Sequence, residues 1–248
     1  MRARVLKALV AVFLVCAAGA ARADGYDVPR APALIITNWS GFYTNAGVGY
    51  EFWAADTTVI NPGTGACVVC AKHEQGGNGW LGEIGFGYDA QVTDKIVLGA
   101  FVDYDLSRVK GTITDPGFGV SGRTDNNSTW FVGARAGWLM TSQVLNYYNV
   151  GYTHAHFDGA SMSATGIGPA PAGFATSDYD GDGWFVGGGL EVAAGGGWYW
   201  RSEVRYAEYS KQTLSDTNGA GARLNNITFE PVVQTATSEV VYKFNWGH

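Results

Sequence analysis

The chain has 248 residues and carries 16 Lys and Arg against 22 Asp and Glu, a formal net charge of -6 with a pI near 5.1. No basic stripe is available to neutralise phosphates, so nucleic acid is excluded as a partner. Its 36 Gly, 9 Trp, 13 Tyr and 12 Phe disfavour helix, because glycine costs about 1 kcal/mol per helical position relative to alanine and aromatics favour the pleated surface of a strand.

The N-terminus sets the compartment. Arg2, Arg4 and Lys7 precede an apolar run over residues 8–18, and the stretch closes on Ala21, Arg22 and Ala23. This pattern is that of a secretory signal peptide cleaved after Ala23. Its apolar run is much shorter than the about 20 residues that a membrane-spanning helix needs. Val15 occupies the place where a lipoprotein signal at Cys16 requires a small residue. Residues 24–38, with Pro29 and Pro32, read as a periplasmic leader, and residues 39–248 as one domain. No later apolar run is long enough to cross a bilayer as a helix.

Period-two alternation marks eight segments, near 42–54, 78–91, 95–107, 128–141, 143–157, 183–197, 198–211 and 232–246. The connections after the first, third, fifth and seventh are long, and those after the second, fourth and sixth very short. A meander with that rhythm gathers all long loops at one end. The expected fold is therefore all-β, an eight-stranded antiparallel up-and-down transmembrane barrel, with short periplasmic turns and long extracellular loops. Each segment exceeds the about 9 to 11 residues that a tilted strand needs to cross hydrocarbon, so the strands should project on the loop side.

The alternation separates a lipid face from a lumen face. Ile96, Leu98, Ala100, Val102, Tyr104 and Leu106 oppose Gly99, Asp103 and Asp105; Trp130, Val132, Ala134, Ala136, Trp138 and Met140 oppose Gly133, Arg135 and Gly137; Trp200, Val204 and Tyr206 oppose Arg201, Glu203 and Arg205. A water-soluble sandwich or lipocalin-like barrel also alternates. The aromatics decide for the membrane, because Trp80, Tyr104, Trp130 and Trp184 fall at loop-side ends while Tyr88, Trp138, Trp198 and Trp246 fall at turn-side ends, as two interfacial girdles do. Inward glycines, among them Gly47, Gly49, Gly85, Gly87, Gly133, Gly137, Gly187 and Gly189, make room in a narrow lumen.

Near the mature start, Asn38-Trp39-Ser40-Gly41-Phe42-Tyr43 is followed by Gly47-Val48-Gly49-Tyr50; further on stand Gly183-Trp184-Phe185-Val186-Gly187-Gly188-Gly189-Leu190-Glu191, Glu203-Val204-Arg205-Tyr206 and Val240-Val241-Tyr242-Lys243-Phe244-Asn245-Trp246. Together these resemble the alphaproteobacterial porin-family outer-membrane β-barrel proteins, related to small surface antigens and similar in architecture to the OmpA transmembrane domain. The resemblance spans most of residues 39–246. It implies an integral outer-membrane barrel without a cofactor, lodged among outer-membrane lipid and lipopolysaccharide. Such barrels commonly end on an aromatic residue read by the barrel-assembly machinery; here Gly247 and His248 follow Trp246, so recognition would use Tyr242, Phe244 and Trp246.

Four groups of residues carry candidate chemistry. Inward charges come first: Glu51, Glu83, Asp89, Asp103, Asp105, Glu191, Glu203 and Glu239 against Arg135, Arg201, Arg205 and Lys243. In a narrow lumen these must pair or bind water. The expected result is a salt-bridge network that plugs the barrel; the alternative is a narrow, cation-preferring channel for small solutes or ions. Cys67 and Cys70, in the first long loop with His73 nearby, read as a candidate disulfide in an oxidising periplasm rather than a redox or zinc site. Asp178, Asp180 and Asp182 with Gly183 match the start of a calcium loop, but Gly189 stands where a bidentate glutamate is needed, so an acidic, turn-forming loop tip is the default. Finally, His154 and His156 share the outward parity of Tyr148, Val150 and Tyr152. With no placeable serine and acid partner, they are expected to meet lipopolysaccharide head groups rather than serve a lipid-modifying enzyme. The overall expectation is a non-enzymatic protein with a structural and surface role in the envelope.

Overall fold

A computed structural model of the chain describes residues 38–165 and 173–244. The segments read as a signal peptide and as a leader, up to residue 37, and the closing Trp246 lie outside the described residues. Eleven strands follow one another: β1 (Gly41–Ile60), β2 (Cys67–Gln91), β3 (Ile96–Asp115), β4 (Val120–Thr141), β5 (Val144–Phe157), β6 (Met162–Ala164), β7 (Ala175–Thr176), β8 (Tyr179–Gly195), β9 (Trp198–Tyr209), β10 (Gln212–Thr217) and β11 (Arg223–Phe244). Eight of them, in the order β1-β2-β3-β4-β5-β8-β9-β11, form an antiparallel ring that closes by β1 pairing with β11 from Phe42↔Phe244 to Ile60↔Asn226. Closure leaves no long edge in hydrocarbon, where an unpaired N–H or C=O would cost several kcal/mol (roughly) for lack of water.

The turn-side connections are as short as the alternation predicts. Thr93 caps the β2–β3 turn by accepting from the backbone of Lys95 and Ile96. The β8–β9 turn needs Gly195, Gly196 and Gly197, whose φ values of 96°, 62° and 85° lie in the left-handed region that side chains avoid.

The loop side differs from the expectation in one respect. The first two long connections are largely strand: β1 and β2 continue to a tip at residues 61–66, and β3 and β4 to one at residues 116–119. The reason is local, since Ala55, Thr57 and Val59 keep the inward alternation of β1 past the membrane. In the other two long connections, β6 pairs with β4, β10 with β11, and β7 with β10, while Ser161 bridges Ala175. The barrel thus carries a β-extension above the bilayer.

Burial inverts the order of a water-soluble protein. Leu106 and Trp200 are 57% and 53% exposed on the outer wall, whereas Asp105 and Arg201 on the inner one are 0% and 2% exposed. Among the described residues no helix is long and apolar enough to cross a membrane; the apolar outer band of strands is what meets lipid.

The inward glycines create space in the sense expected. A Cβ on Gly133 would stand 2.8 Å from Cζ of Phe185 and 3.1 Å from Cζ of Phe101; one on Gly87 would stand 2.5 Å from the Tyr43 ring. Gly133→Leu is accordingly expected to abolish the folded, heat-modifiable species on unheated SDS gels after refolding, whereas Val132→Leu on the lipid face leaves it intact. Equal folded yields for the two variants would refute this account of the glycines.

Candidate functional site in the barrel interior

The interior is filled in layers. Nearest the turns, Lys243 donates to Asp89 Oδ2 at 2.6 Å and pairs with Glu191 Oε1 at 3.0 Å. Arg135 donates through Nε to Asp89 Oδ1 at 2.8 Å and through Nη1 to Glu191 Oε2 at 3.0 Å. Arg201 donates to the same Glu191 Oε2 at 3.0 Å and reaches Glu239 at 3.3 Å. Aromatic rings sandwich these cations: Arg135 and Arg201 each lie 4.8 Å from the centroid of Tyr43, and Lys243 lies 4.8 Å from that of Trp39 and 4.7 Å from that of Tyr199. Such contacts keep a cation favourable where water is scarce.

The next layer turns on Arg205. Its guanidinium pairs with Glu83 at 3.2 Å and with Asp103 and Glu203 more closely still, and lies 4.8 Å from the ring centroid of Phe131. Tyr147 donates to Glu203 at 2.5 Å, and Asn45 donates to Glu239 at 3.0 Å and to Glu83 at 3.3 Å. Above this layer, Glu51 accepts from Asn126 at 2.6 Å, and Asp105 projects inward from β3. An edge-to-face cluster of Trp53, Phe157, Tyr179 and Phe229, with centroids 5.3 to 5.9 Å apart, then closes the loop-side end. All twelve charges predicted to face inward are buried in the structure.

Tyr43, Asn45, Tyr147 and Asn126 complete the network, and the charge pattern alone passes over them. For the first three the signal was present, since they share the inward parity of neighbouring charged or glycine positions. Asn126 had no such signal, because a register shift separates it from Thr129 on the same strand.

Outside the lumen, Cys67 and Cys70 form a disulfide across a Cα–Cα distance of 5.5 Å at the start of β2. The calcium-loop pattern corrects differently. Asp180 and Asp182 lie on extended strand β8 rather than in a turn, and Asp178 is occupied by accepting from Gly159 N at 2.7 Å. An extended strand spreads ligands that a calcium loop would wrap round one point. Register instead sets Asp182 opposite His154 and Asp180 opposite His156, so that the histidines pair with them at 2.9 and 2.7 Å on the outer wall. The hydrogen bond to Asp180 raises the His156 pKa. Among the described residues no three or more His, Cys, Asp or Glu converge to hold a metal.

One buried acid pair escaped the sequence. Asp216 on β10 and Asp115 at the end of β3 are both 0% exposed, and Asn225 donates to Asp115 at 3.3 Å. Burial first, then the Asp115 charge, push the Asp216 carboxyl up to about 8. Only closure of the β-extension brings these strands together.

Two predictions follow from these pairs. Arg205→Leu leaves Glu83, Asp103 and Glu203 facing one another, and breaking such a buried pair costs about 3–5 kcal/mol; urea unfolding followed by tryptophan fluorescence should show that loss, and an unchanged midpoint would refute it. For Asp216 the folded pKa lies above the unfolded one, so its contribution to stability is whole below about pH 4 and is lost as pH rises through about 8. Amide exchange of β10, corrected for intrinsic rates, should therefore quicken over that window in the wild type and not in Asp216→Asn.

No family model matches the chain. The 31 kDa outer-membrane immunogenic protein of Brucella melitensis biotype 1 is 27% identical over 231 residues, covering 89% of this chain and 92% of that protein, and the protein of the same name from Brucella suis biovar 1 aligns to the same extent. Among solved structures, the outer membrane protein OprG of Pseudomonas aeruginosa matches 84% of this chain and 98% of its own with a TM-score of 0.55 at 12% identity, a likeness of fold. With an eight-stranded ring that turns apolar residues outward and charges inward, and an alignment along nearly the whole of those proteins, the chain is a homologue of the Brucella 31 kDa outer-membrane immunogenic protein and an outer-membrane β-barrel protein.

Proposed function

We propose that this protein is a sealed structural barrel of the outer membrane that displays its loop-side β-extension at the cell surface, and that it is not an enzyme. The observation that carries the reading is the filled lumen. Ion pairs across the barrel, from Lys243–Asp89 through Arg205–Glu83, are followed by the aromatic cluster of Trp53, Phe157, Tyr179 and Phe229. Opening a path would mean separating buried charges, which is severely unfavourable. The name of the Brucella relatives, an outer-membrane immunogenic protein, accords with display of the loop side to the exterior.

The remaining parts of the reading rest on the sequence and the outer wall. The signal peptide would be removed after Ala23, and the assembly machinery would read the alternating aromatics of the last strand. Outer-leaflet lipid and lipopolysaccharide would contact the girdle of Trp80, Trp184 and Tyr152, with the His154–Asp182 and His156–Asp180 pairs just above it.

Two measurements test the proposal. Purified, refolded protein in a planar bilayer should show no steps under conditions where a control porin conducts, and regular cation-selective steps would replace it with the channel reading. A cysteine-free variant carrying Asn218→Cys should label with a membrane-impermeant maleimide on intact cells, whereas Thr93→Cys on a turn should label only after lysis. The reverse pattern would overturn the orientation.

A further inference from the structure

Three cations stand together on the outer wall. Arg108, Lys110 and Arg123 are exposed and, unlike the four lumen cations and Lys72, make no ion pair among the described residues. Arg108 and Lys110 continue the outward face of β3 directly after Tyr104 and Leu106. The length of that face fixes their depth. From Ile96 to Leu106 the strand climbs about 33 Å at about 3.3 Å per residue, and a tilt near 40° turns this into about 25 Å of height, that of an outer-membrane apolar band. Arg108 is thus the first outward side chain of β3 beyond hydrocarbon on the loop side, and Lys110 the next. On β1, β8, β9 and β11 the first outward charge past the band is an acid, Asp56, Asp182, Glu208 and Glu230 respectively. At β3 a largely acidic rim turns positive.

Arg123 joins the pair from β4. By numerical parity it belongs with the inward Arg135, but the registers of β4 shift on both sides of Asn126. Below the shifts β4 buries odd-numbered residues, as Thr129 and Phe131; above them it buries even-numbered ones, as Thr124 and Asn126, so Arg123 faces outward. Lys110 is the register partner of Asp125, and Thr112 that of Arg123. Arg123 is therefore a diagonal neighbour of Lys110, about 7 to 8 Å away, and Arg108 is about as near along β3. Asp125 lies opposite Lys110 without forming an ion pair with it, and Glu74 stands farther from the bilayer along β2.

The flank toward β2 is aromatic. Register sets Asn78 opposite Lys110 and Leu81 opposite Ser107, which places Trp80 beside Arg108. The indole is 73% exposed, and Tyr50 braces this flank, packing edge-on against Trp80 at 5.2 Å and donating to Asn78 Oδ1 at 2.7 Å.

Like charges at this spacing repel, and an anion bridging them removes the repulsion. At head-group depth the anions at hand are phosphates carried by lipid. The planar guanidinium forks of Arg108 and Arg123 match phosphate oxygens in pairs, and Lys110 adds a point charge. Trp80 offers the acyl end of the same molecule an interfacial, apolar neighbour. We propose that Arg108, Lys110 and Arg123, edged by Trp80 and Asn78, form a docking site on the outer wall for the phosphate groups of an acylated glycolipid of the outer leaflet. Assignment to that leaflet rests on the orientation proposed above, whereas the charge, spacing and depth of the site do not.

Refolded protein in maltoside micelles, titrated with diphosphoryl lipid A and followed by native mass spectrometry, tests the site. At roughly fivefold per cation near a lipid surface, wild type should hold the lipid roughly hundredfold more tightly than Arg108→Gln/Lys110→Gln/Arg123→Gln, and the advantage should shrink as ammonium acetate is raised. Only exposed side chains change, so the triple variant should keep the folded, heat-modifiable form. Lys72→Gln/Lys95→Gln should bind like wild type. Equal affinity of wild type and triple variant overturns the proposal, as does equal binding of dephosphorylated lipid A. Acyl-free glucosamine bisphosphate that binds as tightly as the lipid would assign the site to a soluble phosphate, and a lipid-free dimer that the triple variant abolishes would assign it to a second copy; either result replaces the lipid. Micelles have no sides, so these outcomes stand whichever way the maleimide labelling falls.

Discussion

The pairing of β1 with β11 is the interaction on which everything else rests. In hydrocarbon no water relieves an unpaired backbone group, so a sheet can exist there only as a closed ring. The first and last strands of the ring, separated by most of the chain, meet along the whole of β1. That contact has the longest sequence separation in the fold, so its loop-closure entropy must be met before the ring is complete. Once closed, each strand has one face toward lipid and one toward the interior, and the side-chain period of two assigns every residue to one or the other.

Closure at eight strands fixes the interior as well. Such a ring is just wide enough for side chains to fill, so charges facing inward have only one another, the aromatic rings and trapped polar groups as partners. The lower layer answers this with three cations, Lys243, Arg135 and Arg201, around Asp89 and Glu191. Higher up, Arg205 stands among Glu83, Asp103 and Glu203, while Glu51 and Asp105 lie beyond its ion pairs. The barrel therefore has a polarity along its axis, balanced at the turn side and acidic toward the loop side. This gradient arises because Lys243, Arg135 and Arg201 all stand toward the turn-side ends of β11, β4 and β9, whereas Glu51 and Asp105 stand nearer the loop side on β1 and β3.

Beyond the girdle the same strands continue into an aqueous medium and the logic changes. The β-extension has water outside it, so Ile113, Val120, Phe174, Leu214 and Ile227 can gather inside as an ordinary apolar core. Asp115 and Asp216 are caught within that core. On the outer wall of this zone the histidine–aspartate pairs of β5 and β8 sit just above Tyr152 and Trp184, with His154 beside Trp130, where lipid gives way to water.

The sequence by itself determined the eight crossings, their order, the short turns, the two faces of each strand and the identity of all twelve inward charges, because these depend only on local period and turn chemistry. Glycine at 195–197 and alternation in β3 are legible without knowing what lies across the barrel. Tertiary structure alone decided what depends on register between distant strands. It set which carboxylate each arginine meets, drew Asp180 and Asp182 out of a supposed loop to face His156 and His154, turned Asn126 inward through a bulge, and buried Asp216 against Asp115. A shift of one residue in any pairing would exchange the two faces of a strand while leaving its own sequence pattern unaltered. Parity is written in the chain, whereas register is settled only when the ring closes.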